Sequence, residues 1–198
     1  MAVISHLFSI ARKEWGFKID NPVLDIRKPK IPEPRNRRFT DTEIKLLIYG
    51  NKTSEKLKSI IQIALETGMR QSEILRIKEE HIINQTLFIP IAKTKPRTIP
   101  LTKKALDLFK NTKLPFGLSG IAVSKQFHKL CKFYNIKDAK FHDLRRQALT
   151  NFMKDKKLSV AETMYISGHS DPKMLLKTYN NLKLEDVSKR LNELGEST

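Results

Sequence analysis

Between His81 and Leu101 the chain changes its periodicity. The runs HIINQ, TLFIPI and RTIPL are short, apolar and β-branched, and the segment AKTKP separates the last two. They read as a small antiparallel sheet whose final turn is basic, with Pro90 and Pro100 keeping its strands short or at an edge. On both sides the apolar residues recur at helical spacing. The class that satisfies both patterns is mainly α with a small antiparallel β-sheet.

The helical segments are well marked. Val3, Leu7, Ile10, Ala11, Trp15 and Phe17 share roughly one face, which predicts a helix over 3–17. Thr40 and Glu43 have capping-box spacing, so a helix starts there and runs to Gly50, a residue suited to the C′ position. A second helix covers Ser54 to Glu66, is broken by Gly68, and a third begins over Ser72 to Lys78. Further helices are predicted over 103–111, 122–134 and 142–154. Ser159 and Glu162 repeat the capping box, and that helix ends at Gly168. Asp171-Pro172 is an N-cap followed by proline at the first helical position, which places Tyr179 near the end of a short helix. A last amphipathic helix is expected over 184–195.

Three regions follow: a terminal helix (1–20), a basic proline-rich linker (21–38) in which Pro29, Pro32 and Pro34 forbid regular helix, and a main domain (39–198). The net charge is +17, from 38 Lys+Arg against 21 Asp+Glu. An excess of that size favours a polyanionic partner through counterion release, although a lysine-rich genome gives the same bias. No run of apolar residues is long enough for a membrane span, and the N-terminus lacks the pattern of a signal peptide. The single cysteine, Cys131, has no disulfide partner, which points to a reducing, cytoplasmic setting.

One scattered set of residues carries chemistry. Arg70 lies in TGMRQSEIL, Lys93 in IAKTKPRTIPL, His142 and Arg145 in FHDLRRQAL, His169 in ISGHSDPK and Tyr179 in LLKTYNNL. His142 and Arg145 are three apart and project from one helix face. Arginine donates two parallel hydrogen bonds to phosphate oxygens and stays charged, so two such forks suit the charge that builds on a five-coordinate phosphorus. Tyr179 is the candidate nucleophile, His142 the candidate for handling its proton, and Lys93 the candidate acid for the departing sugar oxygen. His169 is placed to donate to the phosphate. Glu73 is expected to pair with a neighbouring arginine or to cap its helix. Each residue alone has a duller reading as a surface charge, loop histidine or core aromatic; the order and spacing together set the set apart.

On these motifs the chain resembles the tyrosine recombinases, the phage-integrase family of site-specific DNA recombinases. TGMRQSEIL is similar to the family's first box, and HDLRRQAL with ISGHSDPKMLLKTY to its second, so the likeness spans about residues 36–190. The resemblance implies the family's catalytic-domain fold, with Arg70, Lys93, His142, Arg145 and His169 activating the phosphate. Tyr179 would take a 3′-phosphate and leave a free 5′-hydroxyl, without ATP, metal or other cofactor. It further implies double-stranded DNA as partner for integration or excision of a mobile element, and tetramers on paired sites that exchange C-terminal segments such as 184–195, with a monomer off DNA. Three departures stand out. AKTKPRTIP is about one residue shorter than usual, which makes Lys95 an alternative to Lys93 as acid. NNLKLED lacks a histidine often found after the tyrosine. Of the family's N-terminal clamp domain only the last helix, 3–17, is expected here. The competing expectations are a remnant that binds DNA without catalysis and a type IB topoisomerase-like enzyme.

Overall fold

A computed structural model of the chain describes residues 2–27, 29, 37–90, 95–179, 188 and 192; within the last helix the side chains of Met174, Lys177, Thr178 and Tyr179 fall outside that description. The chain divides into two compact units, Met1–Arg35 and Asn36–Thr198.

In the first unit α1 spans Ala2–Lys13. It is shorter than the apolar periodicity predicts, because the chain turns through Gly16 at φ +71° and leaves Trp15 and Phe17 exposed beyond the helix. Asn21 folds the following segment back, its Nδ2 donating to the Ser5 carbonyl at 3.1 Å and to Ser5 Oγ at 3.0 Å. Residues 28 and 30–36 of the expected linker lie outside the described residues.

The second unit is built around α3 (Glu55–Thr67). Ile60, Ile61, Ile63 and Ala64 are fully buried, since α2 (Asp41–Tyr49), α5 (Lys103–Lys110), α6 (Gly120–Phe133) and α7 (Phe141–Lys154) pack around it. Side-chain caps set the starts of these helices. Thr40 Oγ1 accepts from the Glu43 N–H while Glu43 returns a bond to the Thr40 N–H, and Ser54, Thr102 and Ser119 cap α3, α5 and α6. The glycine at position 50 is needed for a different reason from the one the sequence offers. Its backbone is extended (φ −67°, ψ 146°) rather than left-handed, and the Tyr134 hydroxyl occupies the space a Cβ would fill.

The expected third helix is a single turn, α4 (Gln71–Ile74), because Arg76 and Ile77 already make shorter-range turns. The antiparallel sheet forms as predicted, in the order β1 (Ile82–Ile83), β2 (Thr86–Ile89), β3 (Arg97–Pro100). Leu87 faces Ile99 and Ile89 faces Arg97 across β2 and β3, and these four share the inward face.

Helices α8 (Val160–Ser167) and α9 (Pro172–Tyr179) close the description. A second apolar cluster of Ala148, Leu149, Phe152 and Leu175 seats α9 on α7 and α8. The expected helix over 184–195 lies outside the described residues. Among the described residues no helix is long and apolar enough to cross a membrane.

Gly68 ends α3 at φ +62°, and a Cβ there would meet Leu149 Cδ2 at 3.0 Å and Phe152 Cε2 at 3.2 Å. Gly68→Ala is therefore expected to lower stability by about 1–3 kcal/mol, the cost of a left-handed non-glycine residue plus repacking. Urea titration should show a lower midpoint at unchanged slope. An unchanged midpoint would refute this account of the α3 terminus.

Candidate active site

The C-terminal ends of α3 and α8 meet at one residue of α7. Arg145 is 3% exposed, and its two terminal nitrogens donate to the Gly68 carbonyl and the Ser167 carbonyl, each at 2.9 Å. Gly68 and Gly168 both close their helices in the left-handed region, at φ +62° and +68°. That turn leaves the last carbonyls without intrahelical partners, and the negative ends of two helices face a cation. Burial, then the nearby Arg70 charge, pushes the Arg145 pKa down to about 9, still far enough above neutral to keep it charged.

His169 follows Gly168. Its Nδ1 lies 2.7 Å from Ser167 Oγ and its Nε2 lies 3.4 Å from an Arg145 terminal nitrogen. A guanidinium only donates, so Nε2 is the acceptor and the proton sits on Nδ1. The pKa agrees with a neutral ring: burial, then Arg145, Arg70, His142 and Arg97, pulls it to about 4. His142, at the second position of α7, keeps part of its ring open to solvent. Desolvation, then the Arg145 and Arg146 charges, holds it below the usual histidine range.

Arg70 is the N-cap residue of α4, and Glu73 serves it in both ways the sequence offered. One carboxylate oxygen accepts from the Arg70 backbone N–H at 2.9 Å, and the other accepts from Arg70 Nη1 at 3.0 Å. The anion at this helix start is thus internal. Burial acts to raise the Glu73 pKa, but hydrogen bonds and charge from Arg97 and Arg70 overcome it and hold the group below the ordinary carboxylate range.

Arg70, His142, Arg145 and His169 therefore come together, close enough for their charges to act on one another. Tyr179 ends α9, and that helix packs on α7 and α8, which carry Arg145 and lead into His169. Its side chain falls outside the described residues, as does Lys93; Lys95 is exposed just before β3. Among the described residues no group of three or more His, Cys, Asp or Glu could hold a metal ion.

Two participants escaped the sequence reading. Ser167 orients His169, and Arg97 donates to Ile166 and to both oxygens of Glu73. The signal for Arg97 lay in strand alternation, since it shares a face with the buried Ile99. A cation on the inward face of a strand needs an anion opposite. No comparable signal marks Ser167.

A phage integrase family signature matches residues 37–113. The chain is 34% identical to a shufflon-specific DNA recombinase of Escherichia coli over 100% of its own length and 54% of that protein. It is 30% identical to a Haemophilus influenzae protein designated an integrase/recombinase, over 97% of this chain and 68% of that one. The chain thus spans about half to two thirds of these relatives. In structure it is similar to lambda integrase in a dimer bound to a COC′ core site, with TM-score 0.71 and 22% identity over 89% of this chain and 57% of that one, a likeness of fold.

The His169 pKa gives a stability prediction with a definite sign. The folded pKa of about 4 lies below the unfolded value near 6.5, so between these limits the unfolded chain binds the extra proton. The contribution is full above pH 6.5 and is lost as pH falls towards 4. Denaturant titrations from pH 4 to 7.5 should show a stability difference between wild type and His169→Asn that shrinks on acidification. A difference independent of pH would contradict a neutral, partly buried His169.

Proposed function

We propose, because the chain belongs to the phage integrase family, that it breaks and rejoins DNA strands at specific sites through a phosphotyrosyl intermediate on Tyr179. The observation that carries this reading is Arg145, held by the Gly68 and Ser167 carbonyls and 3.4 Å from His169, on the helix α7 against which the helix ending at Tyr179 packs.

Attack by the Tyr179 oxygen forms a bond to phosphorus and breaks the bond to the 5′ oxygen, which leaves as a hydroxyl once protonated. Lys93 or Lys95 supplies that proton, and His142 takes the phenol proton. The reverse sequence, with a hydroxyl from another strand, rejoins the DNA. Arg145 is fixed by two carbonyls before substrate arrives, and Arg70 by one carboxylate oxygen, so neither cation must reorganise as charge builds on the phosphate. An arriving phosphate also brings negative charge next to His169, which favours protonation and makes the ring a donor. The net charge of +17 adds sequence-independent attraction to the DNA backbone. Integration or excision of a mobile element, with four chains on paired sites, is the biological setting that fits.

A nicked substrate that loses its 5′-hydroxyl fragment on cleavage should trap a covalent protein–DNA adduct with the native chain and none with Tyr179→Phe. Arg70→Ala should slow adduct formation by about 10²–10³-fold, the scale of one lost transition-state donor. Its melting temperature should hold, because Glu73 keeps Arg97. An adduct that survives Tyr179→Phe would overturn the assignment of the nucleophile. Salt-sensitive DNA retention with no adduct from the native chain would favour a binding protein without catalysis.

A further inference from the structure

The carboxylate of Glu73 is shared by two arginines, and they divide it unequally. Its Oε1 accepts from Arg70 Nη1 and from Arg97 Nη1, both at 3.0 Å. Its Oε2 accepts from the Arg70 backbone N–H and from Arg97 Nη2, both at 2.9 Å. Four donors thus meet one carboxylate, about its full capacity. Arg97 holds it with the parallel fork, whereas the Arg70 side chain holds one oxygen only.

The remaining donors sharpen the contrast. Arg97 Nε donates to the Ile166 carbonyl at 3.0 Å, so all three nitrogens of its guanidinium are committed inside the protein. Its side chain is 10% exposed against 19% for Arg70, and the Gly168 turn lies against it so closely that a Cβ there would sit 3.0 Å from Cζ. Arg97 is therefore not placed to receive a phosphate. Arg70 Nε and Nη2 donate to nothing among the described residues.

A buried carboxylate draws in whatever cation can satisfy it, and bidentate pairing with arginine is the strongest arrangement open to it. Without Arg97, the guanidinium within reach is Arg70. We propose that Arg97 is a positioning residue: by occupying the fork site on Glu73 it keeps Arg70 from closing onto that carboxylate in a bidentate pair, and so leaves the outer donors of Arg70 available to the scissile phosphate. The same side chain ties β3 to the end of α8, just before His169. The use of those donors on DNA rests on the recombinase reading; the arrangement of the two arginines does not.

Two measurements test this, and only one needs catalysis. A crystal structure of Arg97→Gln should show Arg70 donating from two side-chain nitrogens to Glu73. If Arg70 keeps its single bond, the proposal is wrong whatever the chain does to DNA. Should Arg97→Gln not fold, Arg97→Lys decides the point in the same way, since an ammonium has no planar fork with which to hold both carboxylate oxygens in parallel and leaves one of them open to Arg70. In single-turnover cleavage at saturating protein, Arg97→Gln should form adduct about 10–100-fold more slowly, the scale of an ångström-level misplacement. Binding of the same DNA should change little.

The added substitution Glu73→Gln should then restore part of that rate, because the amide oxygen can still accept from Arg70 while the anion that competed for its fork is gone. A merely structural Arg97 predicts a double variant as slow as Arg97→Gln or slower, and that result would overturn the proposal. If the native chain forms no adduct, the recombinase reading fails, while the crystallographic result still decides the role of Arg97.

Discussion

A carboxylate with almost no access to water, Glu73, sits at the start of a one-turn helix and takes hydrogen bonds from two arginines that arrive from different elements. Its charge survives burial only because those donors surround it, since an unpaired buried carboxylate would take up a proton instead. Much of the site geometry descends from this constraint. It fixes Arg70 at the end of the α3–α4 turn, fixes β3 against α4, and through Arg97 fixes the end of α8. Leaving a buried charge with no partner at all costs about 3–5 kcal/mol, so the elements cannot drift apart independently.

Arg145 complements that anion-centred cluster with the opposite arrangement. It places one cation among carbonyls at the ends of two helices, each freed by a glycine in the left-handed conformation. The unpaired carbonyl ends stabilise the guanidinium, and the guanidinium holds the two turns at a common point. Burial, and after it the charges of their cationic neighbours, lowers the pKa of both adjacent histidines. The result is a cluster of fixed positive charge beside histidines whose protonation is disfavoured.

The fold was largely legible because its signals are local. The Thr40/Glu43 and Ser159/Glu162 capping boxes, the glycine stops at 68 and 168, and the Asp171-Pro172 start all act within one turn of chain. The misreadings had two sources, one distant and one local. Gly50 resembled a helix stop, yet it is required by Tyr134, which lies far along the chain. The stretch after Ser72 resembled a full helix and formed one turn, since Arg76 and Ile77 already bond only three residues back.

What the residues determined without any fold is their chemical kind and spacing: His142 and Arg145 share one helix face because they are three apart, and Glu73 reaches back to Arg70 for the same reason. Those are short-range facts, set by the geometry of a helical turn. Which of the cations is spent inside the protein and which stays open was decided only in three dimensions. Arg70 and Arg97 look equivalent as letters, but they meet on one carboxylate, and a carboxylate has a limited number of lone-pair positions to give. That competition joins the start of α4 to β3, and no local spacing encodes it.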